Sequence, residues 1–134
     1  MLSVGQLLDG RYEILAPLAE GGMGAVYLAR RVLLGDDVAI KVILADQEGP
    51  APLERFVRES RACAQLRHPN IVSILDYNAD DPQRPFLVME LLSGPSLKDE
   101  LAEKRRFPVA ELQRIIPPVC SALALAHARG IIHR

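Results

Sequence analysis

Three short stretches carry residue types whose spacing could do chemistry. In "LAEGGMGAVYLAR", Gly21, Gly22 and Gly24 fall in a turn between two apolar runs. Glycine lets a backbone take positive φ and come close to a ligand. Successive N–H groups in such a turn can cradle phosphate oxygens. The same turn is equally compatible with a hairpin that binds nothing. It fits neither the Walker pattern nor the dinucleotide fingerprint, since no Gly-Lys-Ser/Thr appears and a strand follows rather than a helix. In "VAIK", strand alternation puts Ala39 and Lys41 on one face and Val38, Ile40 and Val42 on the other. Ala39 leaves room for a flat ring. Lys41 is either a ligand-facing cation or an edge lysine reaching water. In "LERFVRESRACAQL", a 3.6-residue period gathers Phe56, Glu59, Cys63 and Leu66, with Arg58, Arg61 and Gln65 opposite. A carboxylate on an apolar face calls for a cation partner, and Lys41 is the available one. The alternative is a shallow helix whose Glu59 stays wet.

The elements that must position these residues read from the same pattern. Tyr12, Ile14, Ala16 and Leu18 alternate as a strand; "AVYLAR" and the β-branched "VAIKVIL" are two more, with "LLGDD" as the turn between them. Leu53 to about Leu66 is helical and is stopped by His68-Pro69, because the residue before a proline disfavours the α region. "IVSILDY" and "FLVMELL" are strands joined by "NADDPQRP". Five short strands and one helix thus fill roughly the first 92 residues. Beyond them, Ser96 with Asp99 three residues later marks a capped helix start. A second helix from about Pro108 to Arg129 carries Leu112, Ile115, Ile116, Val119 and Leu123 on one face. Pro117 and Pro118 inside it predict a kink, and Gly130 is its stop.

The chain has 134 residues and a formal net charge of −1. That length suits one domain, and the charge argues against a nucleic-acid or anionic-membrane partner. Lys104, Arg105 and Arg106 read as a solvated helix end. Cys63 and Cys120 make no disulfide framework and no zinc spacing, which points to a reduced, cytoplasmic chain. No signal peptide is visible, and no apolar run is read as long enough to span a bilayer.

Taken together, "AEGGMGAVYLA", "VAIK", the helix with Glu59, "HPNIV", "FLVMELL" and "GIIHR" resemble, in order and spacing, a eukaryotic-like serine/threonine protein kinase of the bacterial type. The resemblance covers nearly the whole chain. It implies an α+β fold: a kinase small lobe of five antiparallel strands and one helix, then a hinge and the first helices of the large lobe. Residues 1–92 would be the nucleotide-binding lobe and hinge, and 93–134 the incomplete start of the helical lobe.

The resemblance also implies roles. Gly21 and Gly24 match the second and third glycines of the phosphate-covering loop, which Glu20, Gly22 and Met23 complete; Ala19 stands where the first glycine is usual. Leu18, Val26 and Ala39 would sandwich adenine. Lys41 would hold the α- and β-phosphates and pair with Glu59 as the catalytic set within this chain. Met89 would be the gatekeeper, with the Glu90 carbonyl and the Leu92 N–H on the adenine edge. Ser96 falls near the ribose, or else only caps its helix. His68 and His127 are read as structural.

"HR" at 133–134 matches the start of the family's His-Arg-Asp motif, so the catalytic Asp and the Mg²⁺ ligands are expected beyond Arg134. ATP and Mg²⁺ are the implied cofactors, and a protein hydroxyl in the longer parent the substrate. The chain alone is expected to be inactive and to self-associate through the uncovered helix 108–129. No nucleic acid or membrane contact is expected from this segment. The alternative is a natural non-catalytic module that binds nucleotide or a kinase.

Overall fold

The computed structural model describes residues 2–21, 24–43, 60, 62–81 and 84–132. The chain divides into two compact units, residues 1–65 with 72–91, and residues 66–71 with 92–134.

The first unit is an antiparallel sheet of six strands: β1 (Leu7–Leu8), β2 (Tyr12–Gly21), β3 (Gly24–Arg31), β4 (Asp37–Ile43), β5 (Ile74–Asn78) and β6 (Phe86–Glu90). Their order across the sheet is β1-β2-β3-β4-β6-β5. The five strands expected from periodicity are present, and β1 adds a sixth of two residues. The β1–β2 turn is the Asp9-Gly10 pair, both at positive φ, 53° and 65°. Arg11 N–H closes it on Leu8 C=O at 3.1 Å. Two left-handed residues match the twist of a tight hairpin, and Asp-Gly tolerates that geometry.

Alternation sorts the side chains. Ala25, Tyr27 and Ala29 from β3, Val38, Ile40 and Val42 from β4, and Phe86 and Val88 from β6 bury themselves in one cluster with Leu8, Tyr12 and Ile14. Tyr12 and Phe86 meet edge to face, ring centroids 5.9 Å apart. The sheet is curled. Although β2 and β5 are separated in order by three strands, Tyr12 Oη donates to Asp76 Oδ2 at 2.7 Å and Arg11 Nη1 to the same oxygen at 2.7 Å. Arg11 Nε also donates to Asp9 Oδ2, at 2.9 Å.

Of the helix expected over 53–66, residues 60 and 62–64 are described and are helical, with Ser60 and Leu66 buried and Cys63 half-buried. Phe56 and Glu59 lie outside the described residues.

In the second unit, α1 (Leu97–Lys104) begins with the expected capping box. Asp99 N–H donates to Ser96 Oγ at 3.1 Å, and Ser96 N–H returns to Asp99 Oδ2 at 3.3 Å. The longer helix α2 (Val109–Ala128) runs through Pro117 and Pro118 as a single element. It ends in a Schellman turn: Gly130 has φ +72°, its N–H donates to His127 C=O, and Ile131 N–H donates to Ala126 C=O. Lys104 Nζ reaches Glu100 Oε2 at 2.7 Å and Glu111 Oε1 at 3.0 Å, tying α1 to α2. His68 joins the 66–71 segment to α2, its Nε2 lying 3.0 Å from Ser121 Oγ while its Nδ1 accepts from Asn70 N–H at 3.1 Å.

The sequence expectation about membrane spans needs correction. With 20 residues, α2 is long and apolar enough to cross a bilayer by length and composition. The core helix of a soluble protein passes the same test, and α2 carries Glu111, Arg114 and two prolines along that length.

Burial, and then the Asp76 carboxylate, push the Tyr12 hydroxyl up to about 12. An unfolded tyrosine titrates near pH 10, so the folded chain holds this proton more tightly. The stabilisation is whole below about pH 10 and is lost as pH rises toward 12. Urea melts from pH 8 to 12 are expected to show this loss in the wild type and not in Tyr12→Phe, with Asp76→Ala costing about 1–2 kcal/mol at neutral pH.

Candidate functional site

The face of the sheet turned away from the core collects five of the residues singled out from the sequence. Ala19 pairs across strands with Val26, and Val26 with Lys41. Lys41 pairs in turn with Leu87, and Ala39 with Leu28 on one side and Met89 on the other. Directly opposed residues share a face of an antiparallel sheet, and alternate residues along a strand do too. Ala19, Val26, Ala39, Lys41 and Met89 therefore lie on one face. Ala39 is buried, and Val26, Lys41 and Met89 are half-buried. The result is a shallow apolar surface with a single ammonium set into it. Leu28 and Leu87 belong to the same face and were not singled out. Their signal was available, since each lies two residues along its strand from a residue that was, Val26 and Met89 respectively.

The loop end of this surface is built by β2 and β3. Two irregularities interrupt their register, one between Ile14 and Ala16 and one between Pro17 and Ala19. The second leaves Leu18 as the extra residue, half exposed at 51%. Such a bulge bends a strand and re-aims its side chains, and Pro17, which lacks an N–H, is tolerated where the ladder is broken. Glu20 and Gly21 follow, both exposed, and Gly21 pairs with Gly24. Gly22 and Met23 lie outside the described residues. Gly24 has φ +142°, and a Cβ built on it would sit 2.1 Å from the Val42 carbonyl oxygen. No side chain fits there, so glycine at 24 is required by the backbone of β4 passing beneath it.

At the other end, β6 finishes on Met89 and Glu90. The Glu90 carboxylate accepts the Ser73 N–H at 2.6 Å, while Glu90 N–H donates to Ser73 C=O at 3.1 Å. Hydrogen bonds from the Ser73 backbone and side chain hold the Glu90 carboxyl below its ordinary range. This Ser73–Glu90 bracket has no sequence signal, because nothing in the pattern pairs a strand end with a residue seventeen positions earlier. Leu92 and Ser96 belong to the second unit. Leu92 is exposed at 64%. The Ser96 hydroxyl is engaged at both ends by Asp99, accepting its N–H at 3.1 Å and donating to Oδ2 at 2.6 Å. Glu59, His133 and Arg134 lie outside the described residues, as does the Lys41–Glu59 pairing. Among the described residues no group of three or more His, Cys, Asp or Glu side chains is arranged to hold a metal ion.

Comparison with known proteins places this surface in context. The family model described as "Protein kinase domain" matches residues 12–134. The chain is 42% identical over 129 residues to the serine/threonine-protein kinase pkn2 of Myxococcus xanthus, covering 96% of this chain and 15% of that protein. It is 37% identical over 132 residues to the serine/threonine-protein kinase PrkC of Bacillus subtilis, covering 98% of this chain and 20% of that one. The solved kinase domain of PknI from M. tuberculosis superimposes with a TM-score of 0.84 at 29% identity, over 100% of this chain and 54% of that chain. The chain thus spans a fifth or less of the length of these two curated relatives and about half of the solved domain. The family match takes in the curled sheet from β2 onward, the glycine that must be glycine at 24 and the lysine at 41, and the chain belongs to the protein kinase domain family, among relatives of the bacterial serine/threonine type.

Proposed function

We propose that this chain is the ATP-binding portion of a serine/threonine protein kinase, one that in its longer parent transfers the γ-phosphoryl group to protein hydroxyls. The observation that carries the reading is the sheet register, which puts Ala19, Val26, Ala39, Lys41 and Met89 on one face opposite the core. In this reading Leu18, Val26 and Ala39 enclose the adenine, with Met89 beside it. The Glu90 carbonyl and the Leu92 N–H take its polar edge, and Ser96 lies toward the ribose. Ala19 to Gly24 cover the phosphates, and Lys41, aimed by Glu59, holds them. Residues 1–92 are the nucleotide-binding lobe and hinge, and 93–134 begin the helical lobe.

ATP supplies the phosphoryl group, and this chain's residues bind and orient it. Among the described residues no carboxylate cluster is arranged to hold the Mg²⁺ that accompanies ATP in this family. The 134 residues include no aspartate after His133-Arg134, the position from which the family's catalytic loop accepts the substrate proton. The chain alone is therefore read as inactive. The site of action is proposed as cytoplasmic, and the net charge of −1 gives no support to a nucleic-acid partner. A non-catalytic module that binds nucleotide or a kinase remains the second reading, since the same surface serves it.

Titrating the chain with a fluorescent ATP analogue tests the site. High-micromolar to millimolar affinity is expected, on the order of −4 to −6 kcal/mol, weakened about tenfold or more in Lys41→Met. A nanomolar dissociation constant, or a Lys41→Met variant that binds normally, contradicts the assignment. Gly24→Ala is expected to lose the site by displacing the loop, at a stability cost of about 1–3 kcal/mol in urea melts.

Incubated with labelled ATP, Mg²⁺ and a basic protein, the chain is expected to show no transfer above a buffer blank. Transfer that Lys41→Met abolishes would overturn the reading of inactivity.

Self-association belongs to the same reading. Leu112, Ile116, Val119 and Leu123 line one side of α2 at 37–49% exposure, an apolar stripe of the kind that monomers rarely leave open. Sedimentation is expected to show oligomers that Ile116→Glu or Leu123→Glu disperse.

A further inference from the structure

The Ser73–Glu90 bracket departs from an ordinary antiparallel pair in one bond. Ile74 pairs with Met89 at this end of the β5–β6 ladder, so Ser73 and Glu90 are the next pair along. In a hydrogen-bonded pair each residue gives its N–H to the other's C=O. Here only half of that exchange is made, from Glu90 N–H to Ser73 C=O at 3.1 Å. The return donor, Ser73 N–H, goes to Glu90 Oε1 at 2.6 Å. The side chain of Glu90 has taken the bond that its own main-chain carbonyl would receive.

A carboxylate is the stronger acceptor of the two, since a hydrogen bond to an ionised oxygen is roughly twice as strong as one between neutral groups. The Glu90 side chain is also on the wrong face to touch a ligand itself. Met89 lies on the face with Lys41, and Glu90, one residue on, points to the other side. Its effect on a bound ring is exerted from behind, through the backbone.

We propose that Glu90 is a positioning residue for adenine: by capturing the Ser73 N–H, its carboxylate keeps the Glu90 main-chain carbonyl out of the β5–β6 ladder and open to the 6-amino group of the base. The proposal rests on the ATP reading above and assigns to the side chain of Glu90 a task distinct from that of its carbonyl. Removing the carboxylate returns the Ser73 N–H to the Glu90 carbonyl, where it competes with the 6-amino group of the base for one acceptor.

The experiment titrates the chain with two probes, ATP and purine riboside 5′-triphosphate, which lacks the 6-amino group. The wild type is expected to prefer ATP by about fivefold, the worth of one net hydrogen bond. Glu90→Ala is expected to bring ATP down to the affinity of the purine analogue without changing the analogue. Glu90→Gln, whose amide oxygen still accepts the Ser73 N–H, is expected to keep most of the preference. Adding Ser73→Pro to Glu90→Ala deletes the competing donor and is expected to restore it. Thermal melts of each variant establish that it is folded. A Glu90→Ala chain that keeps the full ATP preference overturns the proposal, and so does an equal loss for both nucleotides, which is what a merely structural role would give. A wild type that binds both probes alike overturns the adenine reading itself and the proposal with it. A wild type that prefers ATP beside an unaltered Glu90→Ala leaves that reading standing and overturns the proposal alone.

Discussion

Val38, Ile40 and Val42 share one side of β4, and burying them leaves Ala39 and Lys41 no choice of side. Each of these aliphatic side chains gains about 1.5–3 kcal/mol from burial. A slip of one residue would expose all three and drive the Lys41 ammonium into the cluster around Ile14 and Val88, both fully buried. The penalty for that inversion far exceeds any preference at the ligand face. The core therefore dictates where the lysine stands. The neighbouring strands inherit the same constraint through their registers, β3 on one flank and β6 on the other. The surface proposed above for the nucleotide is the reverse side of a packing decision.

A flat sheet would leave β2 and β5 far apart. Asp76 brings them together, because Tyr12 and Arg11 both donate to its Oδ2 from across three intervening strands. The exposed Arg11 contact is screened and contributes little. The Tyr12 bond carries more, since the tyrosine ring is only 4% exposed and packs edge to face on Phe86. The curl is thus held by apolar packing with one polar fastening at its rim.

Local signals were the legible ones. The alternation of "VAIKVI" sorted β4 correctly, residue by residue, because a period of two leaves little ambiguity where β-branched residues are buried. Ser96 and Asp99 announced α1, and Gly130 announced the end of α2, since caps are built from neighbours in sequence. The short β1 was missed although Asp9-Gly10 is a strong hairpin signal. Two residues on each side carry too little periodicity to be noticed. The Leu18 bulge was not legible because it is a mismatch between strands and exists only once they pair. Nor were Tyr12–Asp76 and Ser73–Glu90, which join residues 64 and 17 positions apart. The kink expected in α2 follows from proline's chemistry, and both prolines lie within one continuous element. The partnership of Lys41 with Glu59 rests on residues outside the described set and stands as inferred from periodicity.

The continuity of α2 conceals a break in its cooperativity. Pro117 and Pro118 have no N–H, so the carbonyls of Gln113 and Arg114 lack their helical donors, and two consecutive rungs are missing. Helix propagates by adding one bond for each residue fixed, and across this gap order on one side gives less help to the other. Thermodynamically, α2 is two segments weakly coupled through their middle. The C-terminal one is well secured: Ala122 and Ala126 are buried, Ser121 meets His68, and the Schellman turn closes the end. The N-terminal one is held by Lys104 to Glu111, an exposed ion pair. Local melting of the helix is therefore expected to begin near Val109 and to stop at the proline pair, with amide hydrogens before residue 117 exchanging with solvent sooner than those after 118.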